Sequence, residues 1–284
     1  MIAPVPAKKK RPSQIRVRVL RQDGPGMEPY WQLFDIDYER EMNVISVLQR
    51  IAAKATTVDG TAVAPVAWDC GCLEEVCGSC TMVINGLVRQ SCSALVDNLL
   101  NEKPDEIILE PMTKFPVLRD LLVDRQRLFR ALHRVKAWVP VDSYYDMGPG
   151  ERQSREAQEQ NYPLSQCMSC GCCLDACPQY KKIELQKQTG ESEDAFEARK
   201  LAAFDHAFIG PHAVSQAMLH NHHPTSKTLA AERLEALMGA GGIATCGNAQ
   251  NCVAVCPKLI PLTTSLARAG RETTLQAIKK WFDK

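Results

Sequence analysis

The segment Cys167–Pro178, CMSCGCCLDACP, decides the fold of the second half of the chain. Its cysteines follow the spacing C-x2-C-x2-C-x3-C-P, in which the first three thiolates hold one [4Fe–4S] cluster and the fourth crosses to a second cluster. We call this segment the middle cysteine loop. Because its fourth cysteine, Cys177, needs a partner cluster, the motif predicts a second set of thiol ligands elsewhere in the sequence.

That second set lies at Cys246–Pro257, CGNAQNCVAVCP, which we call the C-terminal cysteine loop. It repeats the cysteine frame of the middle loop except at the second position, which is Ala249. A cluster held by three thiolates readily loses the iron at its fourth corner, so Ala249 predicts a [3Fe–4S] cluster. Crossed ligation then predicts a [4Fe–4S] cluster on Cys167, Cys170, Cys173 and Cys256, and a [3Fe–4S] cluster on Cys177, Cys246 and Cys252.

A third group of cysteines precedes both loops. Cys72, Cys77, Cys80 and Cys92 have the C-x4-C-x2-C…C spacing that is typical of a plant-type [2Fe–2S] centre. We call residues 70–80 the N-terminal cysteine loop. A structural zinc knuckle is the alternative, but it usually takes two C-x2-C pairs and only one is present. The two cysteines outside these frames, Cys70 and Cys172, are predicted to be small buried residues beside the clusters.

Composition agrees with metal binding by reduced thiols. The chain has 284 residues, 45% of them apolar, and a formal net charge of +1, which predicts a folded core and gives no basic field for nucleic acid. The sequence shows neither a secretory signal nor an apolar run suited to spanning a bilayer, so we expect a cytoplasmic location. Thiols stay reduced there, and 13 cysteines cannot all be paired, so metal ligands are favoured over disulfides.

The N-terminal half has the pattern of a small sheet with a packed helix. Alternating apolar residues predict strands, an apolar stripe after Asn43 predicts a capped helix, and Asn85-Gly86 predicts a two-residue hairpin. The predicted strands lie at 15–19, 34–38, 81–84, 87–90 and 107–109. We therefore expect an N-terminal β-grasp ferredoxin-type domain over residues 1–113.

The remainder of the chain has helical patterns around the cysteine loops. Residues 117–139 are predicted to form one helix that Pro140 stops, Gly239 is predicted to end a helix at 229–238, and Pro261 to start the last helix. We expect residues 114–284 to form an α-helical domain of the bacterial ferredoxin type. The fold class is therefore α+β.

Three further segments have residue patterns for which a functional role can be considered. The charged stretch Lys181–Lys200 could dock a partner, but a solvated helical insertion is favoured. The histidines in His220–His223 have no evident third metal ligand, so a structural role is favoured over a metal site. The first 21 residues carry seven Lys or Arg and no acid, and contact with anionic lipid headgroups or a solvated tail both remain open.

The sequence has no nucleophile elbow, phosphate loop or dinucleotide fingerprint, so three clusters on two domains indicate electron transfer between partner subunits. Its motifs, taken in order, resemble those of the iron–sulfur subunits of succinate dehydrogenase and fumarate reductase. The motifs that carry the resemblance are CLEEVCGSC at 72–80, FPVLRDL at 115–121, CMSCGCC at 167–173, FIGP at 208–211 and NCVAVCPK at 251–258.

This resemblance implies a subunit that carries electrons rather than the succinate site. Electrons from succinate would enter from a subunit with covalent FAD and pass the [2Fe–2S], [4Fe–4S] and [3Fe–4S] clusters in that order. They would reach quinone in a membrane anchor that often carries haem b. The β-grasp domain would face the flavoprotein and the helical domain the anchor, which implies a peripheral protein on the cytoplasmic face of the membrane.

Two departures from the family pattern concern the quinone. Many ubiquinone-linked members have a tryptophan where this chain has Lys182, and the segment between Cys177 and Ile209 is longer than usual. We therefore assign no quinone-binding residue. The versions Glu74-Glu75 and Gly247–Asn251 look more like the menaquinone-linked branch.

Three alternatives to succinate oxidation stay open. The same complex could run in reverse as fumarate reductase. The chain could instead be an electron-transfer subunit of another oxidoreductase, such as a heterodisulfide-reductase-like or glycolate-oxidase-like complex, although these usually keep complete four-cysteine sets. The last is a structural metal-binding module, which iron and acid-labile sulfide analysis would distinguish.

Overall fold

The computed structural model describes residues 12–104, 106–140 and 151–283. The N-terminal half alternates strands with two short helices. In chain order its elements are β1 (Gln14–Arg21), β2 (Tyr30–Asp37), α1 (Val44–Ala53), β3 (Thr81–Ile84), β4 (Leu87–Gln90), α2 (Val96–Glu102), β5 (Glu106–Glu110), β6 (Val117–Arg119) and β7 (Leu122–Val123).

The strands form a mixed five-stranded sheet in the order β2-β1-β5-β3-β4. Strands β1 and β5 run parallel, and the other neighbours are antiparallel. Inward residues such as Val17 and Phe34 are fully buried beneath α1, as the alternating pattern predicts. The Asn43 side chain accepts from Ser46 N at 3.0 Å, which confirms the predicted helix cap. The predicted β-grasp fold is confirmed.

The hairpin between β3 and β4 turns at Asn85 and Gly86, whose φ angles are 50° and 79°. Two consecutive positive φ values define the type I′ turn that suits the twist of antiparallel strands. This confirms the hairpin prediction.

The prediction of one helix over 117–139 was wrong. Residues 117–123 form the hairpin β6–β7, and helix α3 covers only Gln126–Arg134. The cause is a tertiary contact. Asp120, at φ 48°, lies fully buried against Arg21 of β1 with an Arg21 Nε to Asp120 Oδ1 distance of 2.8 Å. A buried carboxylate paired in this way overrides the helical pattern of the local sequence.

The second half of the described chain is helical. Its helices are α3 (Gln126–Arg134), α4 (Arg155–Ser165), α5 (Cys172–Asp175), α6 (Glu193–His206), α7 (Gly210–His222), α8 (Ala230–Met238), α9 (Asn251–Ala254) and α10 (Leu262–Phe282). Helix α7 is buried over most of its length and packs against α3, α4, α5, α8 and α10. Gly239 follows α8 and Pro261 precedes α10, as predicted.

The two halves contact each other directly. The core of the helical half includes Val83 and Val88 from β3 and β4, so the sheet edge packs against the helices. The loop after β5 also takes part through Met112 and Phe115. This contact puts the N-terminal cysteine loop next to the middle one. The division at residues 113 and 114 stays a prediction.

The charged insertion is tied to the body of the helical half. Residues 181–192 lack regular helix or strand, and α6 begins at Glu193. Helix α6 pairs with α3 through Arg130 and Asp205 at 2.6 Å, and Lys200 reaches Asp124 at 3.2 Å. The charged segment is therefore solvated, and through Lys200 and the rest of α6 it also packs against the helical half of the chain.

The histidine group also has partners within the helical half. His220 Nδ1 lies 3.2 Å from Ser226 Oγ, and His222 Nε2 lies 2.9 Å from Glu272. These contacts agree with the structural role predicted for the group. Of the basic arm, residues 1–11 lie outside the described residues. No helix in the described ranges is long and apolar enough to cross a membrane.

Candidate iron–sulfur centres

The N-terminal cysteine loop presents its thiols to converging backbone N–H groups. The Cys72 sulfur accepts from the backbone nitrogens of Glu74, Val76 and Cys77 at 3.2–3.4 Å. The Cys92 sulfur accepts from Glu75 N at 3.3 Å. Such donors favour the thiolate form. Donation from Cys72 N at 3.3 Å and from Ser79 N at 3.5 Å lowers the pKa of the Cys77 thiol to about 6. The loop is therefore built to hold negatively charged sulfur.

Local backbone conformation explains this arrangement. Leu73 and Glu75 have φ values of 64° and 57°, and Gly78 has 72°. Alternating left-handed residues turn successive N–H groups toward one side and create a concave site for anionic atoms. Sulfides and thiolates of an iron–sulfur cluster are such atoms.

The hairpin supplies the other two thiols of this group. Cys80 directly precedes β3 and Cys92 follows β4 after one residue, so antiparallel pairing brings them together. Both are buried in a small cluster with Ile45. Burial and the neighbouring Cys80 raise the pKa of Cys92 to about 11. The structure thus groups the four cysteines of the plant-type frame.

Cys70 departs from its prediction. We expected a small buried residue, but Cys70 is exposed to solvent. It lies at the start of an open loop that the sheet does not cover. Cys172 is completely buried, as predicted for a residue beside a cluster.

The middle cysteine loop groups its first three thiols with a thiol of the C-terminal loop. Cys167, Cys170, Cys173 and Cys256 line one cavity. Burial, and to a smaller extent the nearby Cys170 and Cys256, raise the pKa of Cys167 to about 11. Burial raises the pKa of Cys173, and the neighbouring Cys170, Cys167 and Cys256 act in the same direction. This cavity is the candidate four-iron centre.

A second cavity holds the remaining three thiols of the frames. It is lined by Cys177, Cys246 and Cys252, together with Ala249. Burial raises the pKa of Cys252, and the neighbouring Cys177 and Cys246 act in the same direction. The crossing of Cys177 and Cys256 between the loops is therefore a feature of the structure. Ala249 presents a methyl group where a fourth thiol is missing.

The two loops repeat each other in backbone conformation. Left-handed residues occur two and four positions after the first cysteine in each: Ser169 and Gly171 at φ 52° and 87°, Asn248 and Gln250 at 52° and 62°. The short helices α5 and α9 begin at the next position in both cases. The predicted repeat thus extends from cysteine spacing to the path of the chain.

The donor set fits iron–sulfur clusters. Thiolates surrounded by backbone N–H groups in partly buried cavities are the surroundings that hold and tune such clusters. No three His, Cys, Asp or Glu side chains in the described ranges are grouped tightly enough for a single metal ion. When bound, clusters of this kind accept and release one electron at a time.

Sequence reasoning missed three residues near these sites. Arg125 donates to the N-terminal loop, Gln90 reaches the middle loop, and His212 lies 3.1 Å from Ser169 Oγ. None belongs to a cysteine motif, and each acts across at least 40 residues of sequence, so the sequence carried no local signal for them.

Comparison with known proteins agrees with this geometry. The protein-family model of a 2Fe-2S iron-sulfur cluster binding domain matches residues 16–130. The family model of a 4Fe-4S dicluster domain matches residues 163–260. The chain therefore matches a 2Fe-2S cluster binding domain followed by a 4Fe-4S dicluster domain.

Similar proteins identify the family of iron–sulfur proteins to which the chain belongs. The succinate dehydrogenase iron-sulfur subunit of Bacillus subtilis is 48% identical over 268 residues, covering 94% of this chain and 96% of that protein. The fumarate reductase iron-sulfur subunit of Mycobacterium tuberculosis is 27% identical, covering 89% of each. The chain belongs to the family of succinate dehydrogenase and fumarate reductase iron–sulfur subunits.

A solved structure supports the fold. A chain of the Mycobacterium smegmatis Sdh1 complex in the apo form aligns with a TM-score of 0.65 at 22% identity. The alignment covers 92% of this chain and 95% of that one. The fold described above, over both halves, is therefore shared with a chain of that complex.

Proposed function

We propose that this chain is the electron-transfer subunit of a succinate:quinone oxidoreductase, carrying electrons from succinate-reduced FAD in a flavoprotein subunit to quinone at a membrane anchor. The observation that carries the proposal is the division of eleven thiols into two complete sets and one set of three. Such a series of thiolate-held centres within one protein suits the stepwise transfer of single electrons.

The residues have defined parts in this scheme. Cys72, Cys77, Cys80 and Cys92 hold a [2Fe–2S] cluster; Cys167, Cys170, Cys173 and Cys256 a [4Fe–4S] cluster; Cys177, Cys246 and Cys252 a [3Fe–4S] cluster. The N–H groups around Cys72 and Cys77 compensate negative charge on the first of them. Ala249 has a methyl group, which cannot bind iron, at the fourth position of the [3Fe–4S] site, and this supports the three-iron assignment.

Exposure supports the orientation of the subunit. Leu73 and Val76 of the N-terminal loop are 49% and 55% exposed, and they form an apolar surface beside the proposed two-iron centre for the flavoprotein. Ala249 and its neighbours in the C-terminal loop are exposed beside the proposed three-iron centre. The anchor lies on that side, with menaquinone favoured, and in this family it often carries haem b. The subunit is peripheral, on the cytoplasmic face of the membrane.

Similarity favours succinate oxidation over the reverse reaction. The succinate dehydrogenase subunit quoted above is 48% identical, against 27% for the fumarate reductase subunit. Fumarate reduction is the second candidate, because the same chain of centres carries electrons either way. The ratio of the two activities in the purified complex separates the two directions.

Low-temperature EPR on anaerobic native membranes tests the main proposal. Spectra are recorded as isolated, after succinate and after dithionite. We expect succinate to reduce the three-iron cluster, whose EPR signal then disappears, and the two-iron cluster, whose signal then appears. Malonate should block both changes. Reduction by dithionite alone would leave the clusters in place but refute succinate as the source of electrons.

The quinone assignment has a separate test. Quinone is extracted from the purified complex and identified by mass. Menaquinone is the expected species, and ubiquinone alone would contradict the assignment that Glu74-Glu75 and Gly247–Asn251 support.

A further inference from the structure

The N-terminal and middle cysteine loops touch at one glycine. A Cβ atom added to Gly78 would lie 2.6 Å from the Cα of Cys170 and 2.7 Å from its Cβ. Atoms cannot approach that closely, so the Gly78 backbone must already be in van der Waals contact with Cys170. Gly78 also has φ 72°, which other residues adopt rarely. Glycine therefore allows a candidate two-iron ligand loop to lie directly on a candidate four-iron ligand.

A positively charged side chain lies beside this contact. The half-buried Arg125 donates from Nη1 to Gly78 O and from Nη2 to Ser79 O, both at 2.8 Å. Burial lowers the pKa of Arg125, whereas the nearby Asp69, Cys170, Cys172 and Cys80 raise it. The guanidinium charge therefore interacts electrostatically with cysteine sulfurs of both loops.

A neutral side chain makes a second bridge. Gln90, which is buried at the end of β4, donates from Nε2 to Thr81 Oγ1 at 2.9 Å and to the Cys172 sulfur at 3.3 Å. Thr81 Oγ1 in turn donates to Gly78 O at 2.7 Å. Cys172, which lies outside the ligand frame, therefore connects the middle loop to the sheet.

We propose that Arg125 is a positioning residue for transfer between the first two clusters: it fixes the Gly78–Cys170 contact and, by its charge, raises the reduction potential of both clusters. The inference rests on the proposed function. One electron leaves the cluster on the N-terminal loop and enters the cluster on the middle loop, and no bond or proton changes at Arg125. A fixed positive charge at a poorly solvated position stabilises the reduced form, which carries one more negative charge.

Substitutions of Arg125 test this in the intact complex. Redox titration followed by EPR gives the midpoint potential of each cluster. In Arg125→Gln we expect lower potentials for the two-iron and four-iron clusters and an unchanged potential for the three-iron cluster. Arg125→Lys keeps the charge but loses the fork to two carbonyls, so we expect nearly normal potentials and weaker magnetic coupling between the clusters.

The matched control is Arg130→Gln. Arg130 lies on α3 five positions further on and pairs with Asp205, away from the cysteines. It should leave all three potentials at wild-type values. Equal shifts of all three potentials in Arg125→Gln, or no shift in any, would overturn the inference.

Substitution of Gly78 tests the contact itself. In Gly78→Ala the loops must separate, so we expect weaker spin coupling and reduction of the four-iron cluster by succinate slowed at least about tenfold. Gly86→Ala is the control, because Gly86 has φ 79° but its added Cβ meets nothing within 4 Å. Unchanged coupling and rate in Gly78→Ala would refute the role of the contact.

Wild-type spectra separate this inference from the proposed function. If the wild-type complex lacks two-iron or four-iron signals, the proposed function fails. If it has them and the Arg125 and Gly78 variants match it, only the inference fails.

Discussion

The middle and C-terminal cysteine loops share a backbone but differ in surroundings. Left-handed residues and a short helix occur at the same offsets in both. Yet Cys170 is buried at the contact with the N-terminal loop, whereas its counterpart Ala249 is exposed. The same chain path therefore serves two different positions, one between domains and one at the surface.

This difference separates what the backbone does from what the side chains do. The left-handed residues and short helices create the thiol cavities in both loops. The side chains then decide how many thiols each cavity has and what the loop is attached to. The comparison teaches that loss of one cysteine at an exposed corner is compatible with an intact loop.

The largest effect is expected when the middle loop is given the cysteine pattern of the C-terminal loop. Cys170→Ala removes a proposed four-iron ligand at the domain contact. We expect loss of the four-iron signal and succinate-dependent quinone reduction lowered more than about 100-fold, because second-shell changes alone cost up to that much. Quinone reduction by purified complex and EPR measure the effect.

Cys70→Ala is the control, since Cys70 is exposed and outside the frame. It should retain both the signal and the activity. A normal four-iron signal in Cys170→Ala would show that Cys170 is not a ligand.

The reverse change gives the C-terminal loop its missing cysteine. Because Ala249 lines the three-thiol cavity on a backbone like that of Cys170, Ala249→Cys should complete a four-thiol set. We expect the three-iron EPR signal of the isolated complex to fall below about a tenth of its wild-type size and a reducible four-iron signal to replace it.

Ala254→Cys adds an exposed thiol in the same loop outside the frame and serves as control. It should keep the three-iron signal. A full three-iron signal in Ala249→Cys would contradict the assignment of that corner.

Sequence predicted these loops well because cluster ligation ties chemistry to fixed spacing. The frames, their crossing and the gap at Ala249 are all visible in the order of cysteines. The hairpin at Asn85-Gly86 was predictable for the same reason, since its turn chemistry is local.

Contacts between distant segments could not be predicted in this way. The helix expected over 117–139 failed because Asp120 pairs with Arg21, 99 residues earlier in the chain. Arg125 and Gln90 were missed because their partners in the N-terminal and middle loops are set by domain packing. Burial of Cys70 was wrong because proximity to a ligand in sequence does not determine solvent access.

A smaller effect tests how the middle loop is attached. At the end of α5 the buried Asp175 accepts from Lys114 N at 2.9 Å and from Thr113 Oγ1 at 3.2 Å. The corresponding residue at the end of α9 is the exposed Ala254. Asp175→Ala leaves the half-buried Lys114 N–H without its charged acceptor, so we expect a loss of about 1–3 kcal/mol in the free energy of unfolding.

Thermal unfolding followed by circular dichroism measures this loss. Asp175→Asn keeps an acceptor and should lose less, and Asp283→Ala, at an exposed position, should lose almost nothing. An Asp175→Ala midpoint equal to that of Asp283→Ala would mean that the attachment does not stabilise the loop.

The smallest effect concerns the histidine behind the middle loop. His212 is fully buried beside Ser169 of the middle loop. In the C-terminal loop the residue that corresponds to Ser169 is Asn248, which is exposed. Burial lowers the pKa of His212 from 6.5 to about 4. Between these values the unfolded chain binds a proton that the folded chain does not. Folding stability is therefore unaffected above pH 6.5 and decreases as pH falls toward 4, by at most about 1.4 kcal/mol per pH unit.

His212→Gln removes this titration. Denaturant unfolding of wild type and variant is compared between pH 5 and 8, and their difference isolates His212 from His220, whose pKa burial also lowers to about 4. We expect the wild type to lose more stability than the variant as pH falls from 6.5 to 5, and both to change equally above 6.5. Parallel curves over the whole range would show that His212 is not held neutral by burial.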